Sequence, residues 1–188
     1  DEPYIFGHFP IVRKILEEPK DYLVVTVLRE PVARFISQFK YYLATRYLVK
    51  QDKLLDHDEI ELIWNNYLKS NLACFHSNTF SAYLNDQAHL GFGNQQATDR
   101  AIENLKDFHV LGFIDNLEQF KQSMKELVPN EITIPSKNQT NNKISKLQSE
   151  ILDSFFDEHK YNIAKQLCFH DVQVYQFAKT LNQEKCVK

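Results

Sequence analysis

The segment "DYLVVTVLREP", residues 21 to 31, constrains the fold more than any other stretch of the chain. From Leu23 to Leu28 every residue is apolar except Thr26, which is itself β-branched, so the alternation of a strand wetted on one face is missing. Such a run reads as a strand covered on both faces, which favours a parallel sheet packed between helices. Pro31 suits the first turn of a following helix, where a missing N–H leaves no bond unmade. Beyond it Val32, Phe35, Ile36, Phe39 and Tyr42 or Leu43 recur at helical spacing and predict a core-facing stripe, with Arg34, Ser37 and Tyr41 on the opposite face.

The same reading organises the rest. "YIFGHFP" (4–10) is a short strand running into a turn that carries His8. Helices are predicted from Asp58 to Leu68 and from Thr79 to Leu84, then a flexible loop at "LGFGNQQ" (90–96). "AIENLKDF" leads as a helix into a second buried strand, "HVLGFI" (109–114), and residues 115–128 form an amphipathic helix capped by Asp115. "ITIPSKNQTNNK" (132–143) is a strand end followed by a polar loop. Leu147 to about Leu181 gives two or three helices with Phe155, Phe156, Tyr161, Ile163, Leu167, Val174, Tyr175 and Phe177 inward. Helices interleaved with a few buried strands predict a layered α/β fold, and residues 1–188 read as a single domain without internal repeats.

Composition narrows the function. A chain with 43% hydrophobic residues and only four glycines is neither fibrous nor strongly disordered. Its net charge of −3 makes no case for nucleic acid, yet Arg29, Arg34, Lys40, Arg46 and Lys50 render one stretch locally basic, which points to an anion. Cys74, Cys168 and Cys186 are far apart and form no C-x-x-C, so neither a zinc site nor a dense disulfide framework is indicated, while one disulfide stays open. No two histidines stand at i and i+4, so no metal is expected. His76, His109, His159 and His170 read as structural, and His57 and His89 as surface groups. No apolar run reaches the roughly 18 residues of a membrane helix. The chain opens on Asp1 rather than Met, which reads as a trimmed N-terminus.

Ligands of open parallel sheets gather at the carboxyl ends of the strands, where the next helix offers unpaired N–H groups. "VLREPVARFIS" is such a junction. Arg29 stands at the strand end, and Ser37 lies two turns along the helix on its non-core face. A phosphate there can accept a charge-assisted bond from the guanidinium and another from the hydroxyl. The plain alternative pairs Arg29 with a structural carboxylate, leaves Arg34 as a solvated charge and makes Ser37 a merely small residue.

The combination R-x-P-x-x-R-x-x-S-x-x-Y after a buried strand resembles the carbohydrate sulfotransferases that use 3'-phosphoadenosine 5'-phosphosulfate, especially the heparan sulfate 2-O- and 6-O-sulfotransferase branch and its bacterial relatives. "VLREPVARFISQFKYY" is similar to that family's "vlRdPveRfiSxyyy", "FHVLGFIDNLEQFKQSMKEL" to its later strand and helix, and "FHDVQVYQFAK" to its closing helix. The resemblance implies the family's three-layer, P-loop-like parallel sheet flanked by helices. It implies that Arg29 and Ser37 bind the donor's 3'-phosphate, with Arg34 matching the same motif. It implies that His8, in "FGHFPI", is the catalytic base, and that the polar loop brings Lys137, Asn138 and Thr140 to the nucleotide. The family's 5'-phosphosulfate loop, K-x-G-[GS]-[TS], has no counterpart before His8, so the first strand and that loop are expected to be missing from this N-terminally incomplete chain.

The implied reaction is sulfuryl transfer to a hydroxyl acceptor, a carbohydrate by family weight, leaving adenosine 3',5'-bisphosphate and needing no metal. A loose, in-line transition state leaves the protein chiefly positioning and charge stabilisation, and an imidazole with an ordinary pKa near 6.5 suits the base. The alternatives are an inactive nucleotide-binding or scaffold domain of the same fold, and a P-loop kinase or NTPase relative, which the absence of a Walker lysine weakens. The acidic stretch "DKLLDHDEIE" (52–61) argues against claiming a polyanionic acceptor. Sparse cysteines tilt the compartment toward a bacterial cytoplasm over the Golgi lumen, and oligomeric state is not legible.

Overall fold

The computed structural model describes residues 23–48, 54–128 and 145–186, and within them helices surround a small parallel sheet. Strand β1 (Val25–Leu28) passes through Arg29 and Glu30 into helix α1 (Pro31–Leu43), which ends in a π-helical turn at Ala44–Leu48. Helices α2 (His57–Leu68), α3 (Asn71–Ser77), α4 (Thr79–Tyr83) and α5 (Gln95–Leu105) lead to strand β2 (Val110–Phe113). After a 3-10 turn at Ile114–Asn116 come α6 (Leu117–Leu127), α7 (Lys146–Phe155), α8 (Glu158–Leu167) and α9 (Phe169–Cys186).

The strands pair in parallel, from Val25 opposite Val110 to Leu28 opposite Phe113. His109 extends the ladder by one step: its N–H donates to the Val24 carbonyl (2.8 Å), and its Nδ1 accepts from the Val24 N–H (3.1 Å). One face of the sheet packs Leu28, Leu111 and Phe113 against Phe80 of α4, Leu105 of α5 and Val174, Tyr175 and Ala178 of α9. On the other face Val110 meets Phe120 and Met124 of α6, with Val25 and Val27 half-buried beside them. The apolar run in the sequence is explained by this double cover. Gly112 lets α6 come close, since a Cβ there would stand 2.5 Å from the Phe120 ring.

The α1 stripe is buried as the spacing predicts, but against helices. Phe35, Ile36, Phe39 and Leu43 join Trp64 and Tyr67 of α2 and Leu152, Phe155 and Phe156 in a second, larger core. The Phe39 and Trp64 rings meet edge-on at 4.8 Å. Gln148 of α7 clips the segment before α2 as a second peptide unit would: its Oε1 accepts from the Leu55 N–H (2.7 Å) and its Nε2 donates to the Leu55 carbonyl (3.2 Å).

Several expectations change. Helix α3 was not foreseen; Ser70 starts it by accepting from the Ala73 N–H. The loop placed at 90–96 ends at Asn94, which caps α5 through the Ala97 N–H. The cap of α6 is Asn116 rather than Asp115, because the 3-10 turn carries Asp115 away to Lys179 (3.0 Å). Tyr161 (48% exposed) and Leu167 (38%) face outward, and His159 is exposed. Cys74 and Cys168 carry free thiols. The expected strand at 4–10 and the strand end and loop at 132–143 lie outside the described residues.

Gly112→Ala is expected to lower stability by roughly 1–3 kcal/mol, as overpacking does, read as a shift in urea midpoint at constant slope. A second expectation concerns Asp86, whose fully buried carboxylate accepts from Nε and Nη2 of Arg100 and from Asn104 (3.0 Å). These donors hold its carboxyl down to about 2. A carboxyl depressed in the folded state stabilises above its unfolded pKa of about 4 and loses that contribution as pH falls toward 2. Asp86→Asn should therefore flatten the acid limb of the stability profile between those values, by on the order of 2 kcal/mol, in denaturant titrations across pH.

Candidate functional site

The carboxyl ends of β1 and β2 lie side by side because the strands are parallel and in register, the last pair being Leu28 opposite Phe113. Arg29 is exposed at the end of β1, and Ser37 is half-exposed on α1. Neither side chain makes a hydrogen bond or ion pair to another described residue. An exposed guanidinium at the end of a strand and a hydroxyl on the helix that strand feeds are each able to donate to an anion.

The helix N-terminus itself is occupied. Glu30 caps α1, its Oε1 accepting from the Val32 N–H (3.1 Å) and its Oε2 from the Ala33 N–H (2.6 Å). The unpaired N–H groups expected for a phosphate at this junction are thus satisfied internally, and the carboxylate answers the helix dipole. The donors that this junction leaves at the surface are the side chains of Arg29 and Ser37.

Arg34 was placed on the non-core face, and the structure buries it. Its Nη2 donates to Asp171 Oδ2 at 2.7 Å, with side-chain exposures of 11% and 0%. The guanidinium carbon stands 4.6 Å above the Phe80 ring, and Nε is buried with no partner. Asp171 accepts two further bonds, from the Phe80 N–H (2.8 Å, on Oδ2) and the Ser81 N–H (3.0 Å, on Oδ1). Burial pushes the Asp171 carboxyl up and Arg34 down, and each opposes the shift in the other by its charge. Four elements meet here, since the Cys168 thiol at the end of α8 also reaches the Pro31 carbonyl (3.7 Å).

The neighbouring groups are not poised for chemistry of their own. Burial lifts the Cys168 thiol to about 12, so it is protonated at neutral pH and a poor nucleophile. Tyr67 Oη and His76 Nδ1 are 2.7 Å apart; burial raises the phenol, and burial together with Arg34 lowers the imidazole, so both are neutral. His170 Nδ1 meets Thr98 Oγ1 at 2.9 Å, and His57 Nε2 meets Ser154 at 3.1 Å on the surface. Among the described residues no cluster of His, Cys, Asp and Glu could hold a metal, and no helix is long and apolar enough to cross a membrane.

The structure therefore leaves Arg29 exposed at the end of β1 and Ser37 half-exposed on α1, and commits Arg34 to Asp171. His8, Lys137, Asn138 and Thr140 lie outside the described residues. Asp171 and the Lys179–Asp115 pair were missed by sequence reasoning. The closing stretch "FHDVQVYQFAK" contains Asp171 and Lys179, but nothing local tells a reader which distant groups they meet.

The sequence matches the profile described as Sulfotransferase family over residues 10–178. The chain belongs to the sulfotransferase family, whose members in general move a sulfuryl group from a sulfate donor. No curated protein and no solved structure matches it.

Glu30→Ala should cost about 1 kcal/mol of stability through the lost cap, measured by chemical denaturation.

Proposed function

We propose that this member of the family transfers the sulfuryl group of 3'-phosphoadenosine 5'-phosphosulfate to a hydroxyl acceptor, probed first on carbohydrates, and that it is of the heparan sulfate 2-O-/6-O-like branch. The observation that carries this reading is that Arg29, exposed at the carboxyl end of β1, and Ser37, half-exposed on α1, have no hydrogen-bond or ion-pair partner among the described residues. Arg29 gives the donor's 3'-phosphate a charged donor, and Ser37 gives it a neutral one. On this reading the two described strands belong to a three-layer, P-loop-like sheet within a single domain, and the chain works in a bacterial cytoplasm.

In the reaction the acceptor oxygen forms a bond to sulfur as the bond from sulfur to the 5'-phosphate oxygen breaks, and the bisphosphate leaves. His8 takes the acceptor's proton, while Lys137, Asn138 and Thr140 are the further candidates for nucleotide contact. With a loose transition state the chain's main contribution is to hold the donor in line and to balance its charge.

Calorimetric titration with adenosine 3',5'-bisphosphate, beside 5'-AMP, tests the site. The bisphosphate should bind more tightly. Arg29→Ala should weaken it by roughly 10- to 100-fold, as loss of a hydrogen bond to a charged group does, and Ser37→Ala by about 5-fold. His8→Ala should spare binding and abolish turnover. Normal binding and turnover in both Arg29→Ala and His8→Ala would overturn the assignment.

A further inference from the structure

We infer that Arg34 and Asp171 are positioning residues for the anion site: their buried pair sets the rotation of α1 about its axis and thereby aims the Ser37 hydroxyl at the phosphate Arg29 holds. The inference rests on the reading of Arg29 and Ser37 given above. It assigns Arg34, which the sequence motif groups with the phosphate ligands, to a contact with the protein instead of with the nucleotide.

Arg34 and Ser37 stand at i and i+3, one above the other on α1. The apolar stripe on the far side, Phe35, Ile36, Phe39 and Leu43, is held by contacts that are strong in sum but non-directional. Glu30 ties only backbone of its own helix, so it fixes where α1 begins without fixing its rotation. The Arg34–Asp171 bond at 2.7 Å is a buried directional contact between α1 and the rest of the molecule, whereas the Lys40–Asp153 pair further along the helix (2.6 Å) is solvent-exposed and holds the helix less firmly. Its acceptor is itself immobilised, because Asp171 is wholly buried and is gripped by the Phe80 and Ser81 N–H groups of α4. The Phe80 ring beneath the guanidinium limits movement in the remaining direction.

Rotation matters at this radius. For a side-chain oxygen about 4.5 Å from the helix axis, a turn of roughly 10° moves it by about 0.8 Å. That is enough to spoil a hydrogen bond and, for groups that must meet a reacting ligand, to cost a large factor in function. A buried ion pair is weak evidence for stability, since apolar residues of similar volume often serve as well. Its value here is geometric.

The test is a double-mutant cycle read by calorimetry on the folded chain, with circular dichroism and thermal melting establishing the folded fraction. Asp171→Asn keeps the side chain's shape and an acceptor for α4 but removes the charge that holds Arg34. Expected is a loss of affinity for adenosine 3',5'-bisphosphate of up to about 5-fold, no larger than that of Ser37→Ala, with affinity for 5'-AMP within about 2-fold of the starting chain. In a Ser37→Ala background the same change should produce almost no further loss, because the hydroxyl it aims is gone. Arg34→Lys, which keeps the charge and loses the planar fork, should show the same dependence on Ser37 and serves where Asp171→Asn does not fold. Equal loss with and without Ser37, or equal loss for both nucleotides, would overturn the inference and leave a purely structural pair. A loss in Arg34→Lys that persists in the Ser37→Ala background while Asp171→Asn binds normally would make Arg34 a direct ligand and overturn it too. If the unaltered chain does not prefer the bisphosphate, the functional reading fails first and the inference falls with it.

Discussion

The parallel pairing of β1 with β2 is the contact on which the rest of the molecule depends. It joins segments 85 residues apart through a ladder only four residues long, with His109 lending one extra step at its start. Closing so long a loop costs chain entropy that the backbone hydrogen bonds of so short a ladder cannot offset alone. The burial on both faces supplies the remainder: α4, α5 and α9 cover one side and α6 the other. Because the pair is parallel, both strands end at the same edge, where β1 feeds α1 through Arg29 and β2 feeds the Ile114–Asn116 turn.

The molecule deals with buried charge in a consistent way. Asp86 and Asp171 are both fully enclosed, and each is answered by an arginine and by further donors, Asn104 in one case and two backbone N–H groups in the other. A carboxylate with three donors can stay ionised where a lone one would take up a proton. The Arg34–Asp171 pair joins helices from distant parts of the chain and so specifies a tertiary arrangement, whereas Asp86, in the turn before α5, ties that turn to Arg100 and Asn104 of the next helix. Arg34 pays for its place with an unpartnered Nε, a cost tolerable only where the surrounding contacts leave it no alternative.

Local chemistry explains what could be read in advance. The β-branched run that became β1, the stripe Phe35, Ile36, Phe39 and Leu43, and Pro31 at the start of α1 all follow from periodicity and backbone constraint within a dozen residues. Glu30 shows where that reading stops. It was passed over as the x of R-x-P, yet it closes the helix N-terminus that the motif appeared to leave open. Asp115 lost its capping role for a related reason: a 3-10 turn moved the helix start by two residues, and Lys179 of α9 was waiting for the carboxylate. Tyr161 and Leu167 were read as inward because aromatic and aliphatic residues usually are, but only Ala164 of α8 is fully buried.

The sequence by itself determined the two strands, the apolar stripe of α1 and the order of residues at the strand-to-helix junction, since each depends on bonds and side-chain periods spanning a turn or a few residues. It also carried the family, because that likeness lies in an ordered pattern extending over residues 10–178. Tertiary structure decided which charges are spent inside the molecule and which remain at its surface. Arg29 and Arg34 are the same residue type five positions apart in one motif, and only the arrival of Asp171 from 137 residues away separates the exposed guanidinium from the buried one. The physical reason is that a charge acquires its role from the partner and the dielectric around it, and both are set by segments that meet only when the chain has folded.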